Sequence, residues 1–187
     1  MNYPPHIALI GAGIAGLSCA TALQRAGLEV SLFDKSRGPG GRMSNRRGDN
    51  WQCDHGAQYF TARRPDFRAE VARWQQAAVA EVWDPRLWLF EGASSEGRES
   101  TVERFVGMAD MTAPARYLAS TLTVHAPTNI QQLRRQTHGW QVFSAEHGWL
   151  ETRFAAVLLA VPAPQIAPLL RQLAPELAAL ASSTVMR

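Results

Sequence analysis

The chain has 187 residues, a formal net charge of +3 and 46% hydrophobic residues, which is enough to bury the core of one domain or of two small ones. Lysine occurs only at Lys35, and the arginine pairs are scattered without forming a basic stripe, so no nucleic-acid partner is predicted. Cys19 and Cys53 fit neither a metal site nor a disulfide framework, which favours no metal and a reducing, cytoplasmic location. The apolar stretch at residues 7–23 contains three glycines and follows no basic region, so no membrane partner is predicted.

The first elements in the chain are predicted to be a strand, a glycine-rich turn and a helix. Residues 6–10 form a short apolar run typical of a buried parallel strand, and residues 14–26 form a helix that Gly27 can end. The glycines between them have the spacing of a dinucleotide-binding turn, in which bare backbone approaches the pyrophosphate and the helix start offers free N–H groups. The cofactor-binding residues predicted here are Gly11, Gly13, Ile14, Ala15 and Gly16.

A second strand is predicted at residues 30–33, and it ends at Asp34. A carboxylate at this distance along the chain from the glycine turn binds a ribose 2′-hydroxyl and repels a 2′-phosphate. The alternative is a structural turn with a coincidental acid.

A second glycine cluster, residues 38–42, follows Asp34 directly. We expect its bare backbone and the planar guanidinium of Arg42 to lie beside the same phosphates. A simple NAD domain does not need this second layer, so the pattern favours FAD, and a flexible glycine loop with a solvated arginine is the alternative. The further cofactor-binding residues predicted here are Asp34, Lys35, Gly40, Gly41, Arg42 and Met43.

Both glycine clusters, together with residues 54–61, 107–113 and 157–165, resemble the amine-oxidase-type FAD flavoproteins, and most closely their bacterial renalase-like branch. The resemblance covers nearly the whole chain. It implies an α/β fold: a Rossmann-type, glutathione-reductase-like FAD-binding domain with a β-meander, interrupted by a partial substrate-binding lobe. The implied division is 1–62 and 107–187 for the FAD-binding parts and 63–106 for the lobe. Family members are much longer, so this sequence looks like the N-terminal half, with the C-terminal part of the family fold missing.

The reacting part of the cofactor is expected near residues 56–59. Gly56 and Ala57 offer the side-chain-poor backbone that a flavin ring needs, and Gln58 and Tyr59 are the predicted catalytic residues, with Gln58 also contacting the cofactor. Tyr59 fits a pocket or an ordinary core position equally well. His55 lies next to an acid, as a general base could, but it is expected to be a structural group or one that supports the site indirectly. The family likeness further implies contacts from the main chain near Ile130 to the adenine and from Ala160 to the cofactor.

The remaining patterns predict short helices and strands. A helix at residues 65–81 has an apolar stripe that we expect to be core. Strands are predicted at 82–90 and 101–106, separated by a polar loop at 91–100. The later elements are a helix at 113–121 capped by Thr112, a strand at 123–126, a meander at 129–134, 139–144 and 149–154, a buried strand at 155–161, and helices at 165–170 and 175–181.

The function implied by the resemblance is that of an FAD-dependent oxidoreductase. It takes a hydride from a small electron-rich substrate, a dihydronicotinamide isomer or an amine, onto flavin N5, and oxygen then reoxidises the flavin with release of hydrogen peroxide. Two alternatives stay open. One is a non-catalytic FAD-binding fragment that needs a missing second half, and the other is a plain NAD(P)-binding module.

Overall fold

The computed structural model describes residues 4–92, 94–99 and 101–186. In chain order the described elements are β1 (His6–Ile10), α1 (Ile14–Arg25), β2 (Glu29–Phe33), β3 (Arg46–Gly48), β4 (Trp51–Cys53), α2 (Pro65–Gln76), β5 (Ala80–Trp83), β6 (Leu87–Glu91), β7 (Ser94–Arg98), β8 (Arg104–Gly107), α3 (Ala113–Ala119), β9 (Thr123–His125), β10 (Ile130–Gln136), β11 (Gly139–Ser144), β12 (Gly148–Trp149), β13 (Ala156–Leu159), α4 (Ala163–Leu170) and α5 (Pro175–Ser183).

The chain divides into two compact units. The first unit combines Met1–Gly41 with Leu118–Arg187, and the second unit is Arg42–Tyr117. The lobe predicted at residues 63–106 lies inside the second unit. The predicted segments 1–62, 63–106 and 107–187 divide the chain by function and not by compactness, and their boundaries stay predictions.

A parallel sheet of four strands organises the first unit. Its order is β13-β1-β2-β9, and each neighbouring pair is parallel. The two central strands are buried along most of their length, with Leu9 and Leu32 at 0% exposure, because a parallel sheet is covered on both faces. Helix α1 buries Gly16, Leu17 and Ala20. The strand, helix and strand predicted at the start of the chain are confirmed, and so is the strand at 123–126, as β9.

The predicted β-meander is also confirmed. Strands β10, β11 and β12 form an antiparallel sheet, and Ile130 and Val142 from it share one core cluster with Ala8 of the parallel sheet. The third strand is shorter than the predicted 149–154. Only β12 pairs continuously with β11, while Phe154 forms an isolated bridge with Trp140.

The strand predicted at 155–161 is shorter and less buried than expected. It is β13, which pairs with β1 alone and forms an edge of the sheet in the described part of the chain. Leu158 is therefore 37% exposed, because an apolar run indicates a strand but not its place in the sheet. The two helices predicted after it are confirmed as α4 and α5.

The second unit contains three antiparallel strand pairs, β3 with β4, β5 with β8 and β6 with β7, together with α2 and α3. Val71 and Trp74 of α2 are 1% exposed, so the predicted stripe of this helix is core. The ring of Trp74 packs edge-to-face against Phe60 and Phe67. No helix among the residues described is both long and apolar enough to cross a membrane.

Three predicted boundaries in the second unit are wrong. The helix predicted to reach residue 81 ends at Gln76, since Ala78 adopts a left-handed φ of +54° and the chain then enters β5. The strand predicted at 82–90 is two strands, β5 and β6, because Pro85 between them lacks the N–H that a ladder needs. The strand predicted at 101–106 begins later, as β8.

The loop predicted at 91–100 is in large part a strand. Residues of β7 pair with β6 in an antiparallel hairpin whose turn includes Gly92 at φ +62°. Ala93 and Ser100 of that predicted loop lie outside the described residues. The sequence did not predict β7 because its residues are polar. A hairpin that is exposed to solvent does not need the alternation of apolar and polar residues by which strands are recognised.

Candidate dinucleotide-binding site

The turn between β1 and α1 contains three glycines, and at two of them, Gly11 and Gly16, the fold leaves no room for a side chain. Gly11 has a φ of +106°, and a Cβ on it would lie 2.7 Å from the carbonyl oxygen of Ala160. A Cβ on Gly16 would lie 2.0 Å from the carbonyl oxygen of Gly11, so glycine there lets α1 approach the turn. The amide of Ala160 donates to the carbonyl of Ile10 at 2.8 Å, which places this predicted site residue beside the turn.

Gly13 differs from these two glycines. Its φ of −73° suits any residue, and the nearest atom that an added Cβ would meet is the Cα of Gly41, at 3.9 Å. Gly13 is also the N-cap of α1, where it makes no side-chain cap hydrogen bond. Nothing within the fold therefore requires glycine here, and the space beside its Cα lies at a helix start whose first-turn N–H groups lack a capping side chain.

The second glycine cluster lies directly against the first. Gly13 and Gly40 form an isolated parallel bridge, and the amide of Gly40 donates to the carbonyl of Ala12 at 3.0 Å. Gly40 and Gly41 have φ values of +139° and +56°, which L side chains rarely adopt. A Cβ on Gly41 would come within 3.1 Å of the Cα of Gly13. The two clusters together present backbone without side chains around the start of α1.

Asp34 follows β2, and its carboxylate accepts two backbone hydrogen bonds beside the glycine clusters. Its Oδ2 accepts the amide N–H of Ala12 at 2.6 Å, and its Oδ1 accepts that of Ser36 at 2.8 Å. A carboxylate has about four acceptor positions, so each oxygen keeps capacity for one more donor. The carbonyl of Asp34 accepts the amide of Thr128 at 2.7 Å, which fixes the end of the strand. The predicted sugar-binding carboxylate is thus held by the turn that would bind the phosphates.

The other predicted residues of the first unit have simpler surroundings. Lys35 is exposed, while Ile14 is half-buried and Ala15 exposed in the first turn of α1. Ile130, the first residue of β10, is 7% exposed, and its side chain belongs to the core cluster. Contact of Ile130 with a cofactor would therefore have to come from its main chain, as the resemblance implies.

In the second unit, the segment after the glycine clusters packs on residues 56–57. The carbonyl of Arg42 accepts the amide of Ala57 at 2.8 Å, and a Cβ on Gly56 would lie 2.2 Å from that carbonyl oxygen. Glycine at position 56 is thus required by the chain's own backbone. Met43 is buried, whereas the side chain of Arg42 is exposed and makes no hydrogen bond or ion pair within the described residues.

The two predicted catalytic residues also lie in the second unit. Gln58 is exposed. Tyr59 is 41% exposed, its ring lies 5.8 Å from that of Trp83, and the guanidinium of Arg104 lies 5.1 Å from the ring centre. His55 is exposed, with its Nδ1 3.4 Å from the carbonyl of Ser44, and its expected role stays a prediction.

Sequence reasoning missed the most strongly held charge of the second unit. The carboxylate of Asp110, 3% exposed, accepts hydrogen bonds from Arg47 at 2.9 Å and from Arg116 at 2.8 Å, and also from the amide and hydroxyl of Thr112. Burial alone would raise the pKa of Asp110, but the hydrogen bonds from Thr112 and Arg116 outweigh it and lower that pKa to about 2. The position of Asp110 just before α3 was the available signal, because Asp there is a common helix cap.

Comparison with known proteins supports the predicted fold class. Residues 9–74 match the family described as an NAD(P)-binding Rossmann-like domain. The fold is Rossmann-like. The chain also superimposes on putrescine oxidase bound to putrescine, with a TM-score of 0.69 over 89% of this chain and 60% of that one, at 13% identity. The predicted fold class is confirmed.

Curated relatives include a tRNA-modifying bifunctional protein, a desaturase and an L-amino-acid oxidase. The chain is 29% identical to a tRNA 5-methylaminomethyl-2-thiouridine biosynthesis bifunctional protein of Magnetococcus marinus, over 88% of this chain and 30% of that protein. Shorter similarities, each covering 11% of the relative, are 44% identity to a hydroxyneurosporene desaturase of Rubrivivax gelatinosus and 40% identity to an L-amino-acid oxidase of Daboia russelii. The chain thus spans less than a third of these relatives. The renalase-like branch stays a prediction.

Within the described part of the chain, no group of histidine, cysteine or acidic residues is arranged to hold a metal ion.

Proposed function

We propose that this chain binds FAD through the two glycine clusters and serves as the cofactor-binding part of an FAD-dependent oxidoreductase. The observation that carries the proposal is the open space at Gly13. The fold explains glycine at positions 11 and 16 by crowding, but at position 13 only an outside group needs the room. FAD fits because a pyrophosphate is an anion that binds bare backbone at a helix start.

Each residue of the site has a role that follows from its chemistry. The first-turn amides of α1 donate to phosphate oxygens, and the free acceptor positions of Asp34 take the ribose hydroxyls. The guanidinium of Arg42, which has no partner among the described residues, neutralises phosphate charge. Asp34 also disfavours a phosphorylated ribose, because two anions at that distance repel each other.

The cofactor, once bound, supplies a two-electron acceptor for hydride. We propose a small electron-rich substrate, a dihydronicotinamide isomer or an amine, and oxygen as the final acceptor. Gln58 and Tyr59 are the proposed substrate-contacting residues, since both are exposed polar or aromatic side chains in the segment that resembles the flavin contacts of the family. Residues 63–106 are the proposed part of a substrate lobe, and a cytoplasmic location is part of the proposal.

The test is direct binding followed by reduction. The purified chain is titrated with FAD, NAD⁺ and NADP⁺ by calorimetry, and bound flavin is identified by chromatography after release. Micromolar or tighter FAD binding, with weaker NAD⁺ and NADP⁺ binding, supports the proposal. Tighter binding of either nicotinamide dinucleotide would instead establish a plain NAD(P)-binding module.

The second step separates an enzyme from a binding fragment. The FAD-loaded chain is mixed without oxygen with dihydronicotinamide isomers and with small amines, and flavin absorbance is followed. Bleaching by one of these classes, reversed by oxygen with formation of hydrogen peroxide, supports catalysis by this chain. A flavin that dithionite bleaches but none of these donors reduces would restrict the chain to cofactor binding.

A further inference from the structure

The order of the strands in the parallel sheet gives the proposed nucleotide a direction. The glycine turn follows β1, and Asp34 follows β2, which is the neighbour of β1 in the sheet. In the proposed complex the pyrophosphate lies at the glycine turn and a ribose lies at Asp34. The base is attached to the ribose on the side away from the phosphates, so it continues past β2 by about the 4.8 Å that separates neighbouring strands. The next strand in that direction is β9.

The last residue of β9 is His125, and its ring is held in a fixed orientation. His125 pairs with Phe33 in the parallel ladder, and the two rings are stacked, with their centres 4.9 Å apart and their planes 16° apart. Phe33 is 3% exposed and belongs to the core cluster, whereas His125 is exposed. One face of the imidazole therefore packs against the core, and the rest of the ring stays open to solvent.

The backbone around His125 is hydrogen-bonded to Asp34. The carbonyl of His125 accepts the amide of Asp34 at 3.0 Å, and the amide of Thr128 donates to the carbonyl of Asp34 at 2.7 Å. The amide of Asn129 donates to a carboxylate oxygen of Glu146 at 2.9 Å, which holds the far end of the same loop. His125 thus has a fixed place next to the residue that is proposed to bind the ribose.

A planar exposed ring on a buried aromatic support is suited to contact a nucleobase. Stacking of a base on an aromatic side chain contributes affinity through the ring faces, whatever groups the base carries on its edge. The imidazole nitrogens of His125 make no hydrogen bond or ion pair within the described residues. Packing against Phe33 therefore orients the ring without using its outer surface.

We propose that His125 is a further cofactor-binding residue, whose imidazole stacks against the adenine of bound FAD. The inference rests on the proposed function and adds to it a residue that recognises the base. Because stacking depends on the area of the base, the site should prefer a purine nucleotide to a pyrimidine nucleotide. The contacts proposed for the phosphates and the ribose are the same for both classes of nucleotide.

The experiment measures nucleotide affinity for the parent chain and three variants. His125→Ala removes the ring, and His125→Phe keeps a planar ring without its nitrogens. His138→Ala is a matched control at an exposed histidine in the turn between β10 and β11. The dissociation constants for FAD, ADP and UDP are measured by calorimetry, and the melting temperature of each free protein is measured by circular dichroism.

We expect His125→Ala to bind FAD and ADP about tenfold more weakly than the parent chain does. The loss of UDP affinity should be smaller than the loss of ADP affinity, because a pyrimidine offers less area for stacking. His125→Phe should retain the parent affinity for FAD and ADP, and His138→Ala should leave all three affinities unchanged. If His125→Ala does not fold, His125→Leu is measured in its place, since it keeps an apolar contact with Phe33.

Three results would overturn the inference. Equal FAD affinity in the parent chain and in His125→Ala would remove His125 from the site and leave the proposed function intact. Equal losses of ADP and UDP affinity in His125→Ala would show that the ring only supports the fold around Asp34. A parent chain that does not bind FAD would remove the proposed function and the inference with it, so the parent titration separates this failure from the other two.

Discussion

Replacement of Gly13 by alanine tests the space on which the proposed cofactor site depends. The added methyl group would meet no atom of the protein closer than 3.9 Å, and the φ of −73° is allowed for alanine. Alanine is a poorer N-cap than glycine, but it also lowers the entropy of the unfolded chain. These effects oppose each other, so the free energy of unfolding without cofactor should change by less than about 1 kcal/mol.

The effect on cofactor binding should be much larger. The methyl group would occupy the space where the proposed pyrophosphate approaches the first-turn amides of α1. Each hydrogen bond to a charged group contributes about 1.5–3 kcal/mol, and the loss of one such bond predicts about 10- to 150-fold weaker FAD binding. The assay is calorimetric titration with FAD, together with urea unfolding of the free protein.

Gly16→Ala is the matched control because it makes the same chemical change three residues away. Its Cβ would lie 2.0 Å from the carbonyl oxygen of Gly11, so α1 must move, and we expect a loss of about 3 kcal/mol of stability without any cofactor. A Gly13→Ala protein that binds FAD as tightly as the parent chain would refute the reasoning. Similar losses of stability in Gly13→Ala and Gly16→Ala would refute it as well.

Three further changes test other parts of the structure. Asp110→Asn should lower the free energy of unfolding by about 2 kcal/mol at pH 7, because the pKa of Asp110 is lowered from 3.8 to about 2. In urea unfolding, the difference between the variant and the parent chain should shrink as the pH falls from about 4 to about 2, where the carboxylate of the parent becomes protonated. A difference that stays constant over this pH range would contradict the assignment. Ala78→Gly should raise the free energy of unfolding by about 1 kcal/mol by relieving a φ of +54°. Ala69→Gly, at an exposed position within α2, should instead lower the free energy of unfolding by about 1 kcal/mol, and equal effects would exclude strain at Ala78. Arg42→Ala should weaken FAD binding about tenfold without changing stability, since the side chain of Arg42 makes no hydrogen bond or ion pair within the described residues. Arg63→Ala, at another exposed arginine, should change neither FAD affinity nor stability. Unchanged affinity in Arg42→Ala would remove Arg42 from the site.

The parts of the fold that were predictable are those where local pattern and long-range packing agree. The apolar run of β1 and the glycine spacing after it indicate a strand, a turn and a helix together, and the fold has no room for a Cβ at Gly11 or Gly16. The meander was predictable for a related reason, since its strands are broken at Gly139 and Gly148, both of which adopt positive φ.

The remaining parts depend on contacts that the sequence does not encode locally. The β3–β4 hairpin was not predicted, because its short exposed strands carry no apolar alternation. One of the hydrogen bonds to the buried carboxylate of Asp110 comes from Arg47, 63 residues away in the chain, and no local pattern predicts it. Spacing along the chain identifies which glycines form a turn, but not which of them the fold itself requires.

The hydrogen bond from Ala12 to Asp34 has a consequence for redesign of the nucleotide preference. A standard route to a protein that accepts a phosphorylated ribose is to exchange the acidic residue after the second strand for a neutral or basic one. In this chain the exchange would also remove the acceptor of the Ala12 amide in the glycine turn. The same substitution would therefore change the nucleotide preference and weaken the turn. A successful redesign would need a second substitution that supplies a new acceptor for that amide.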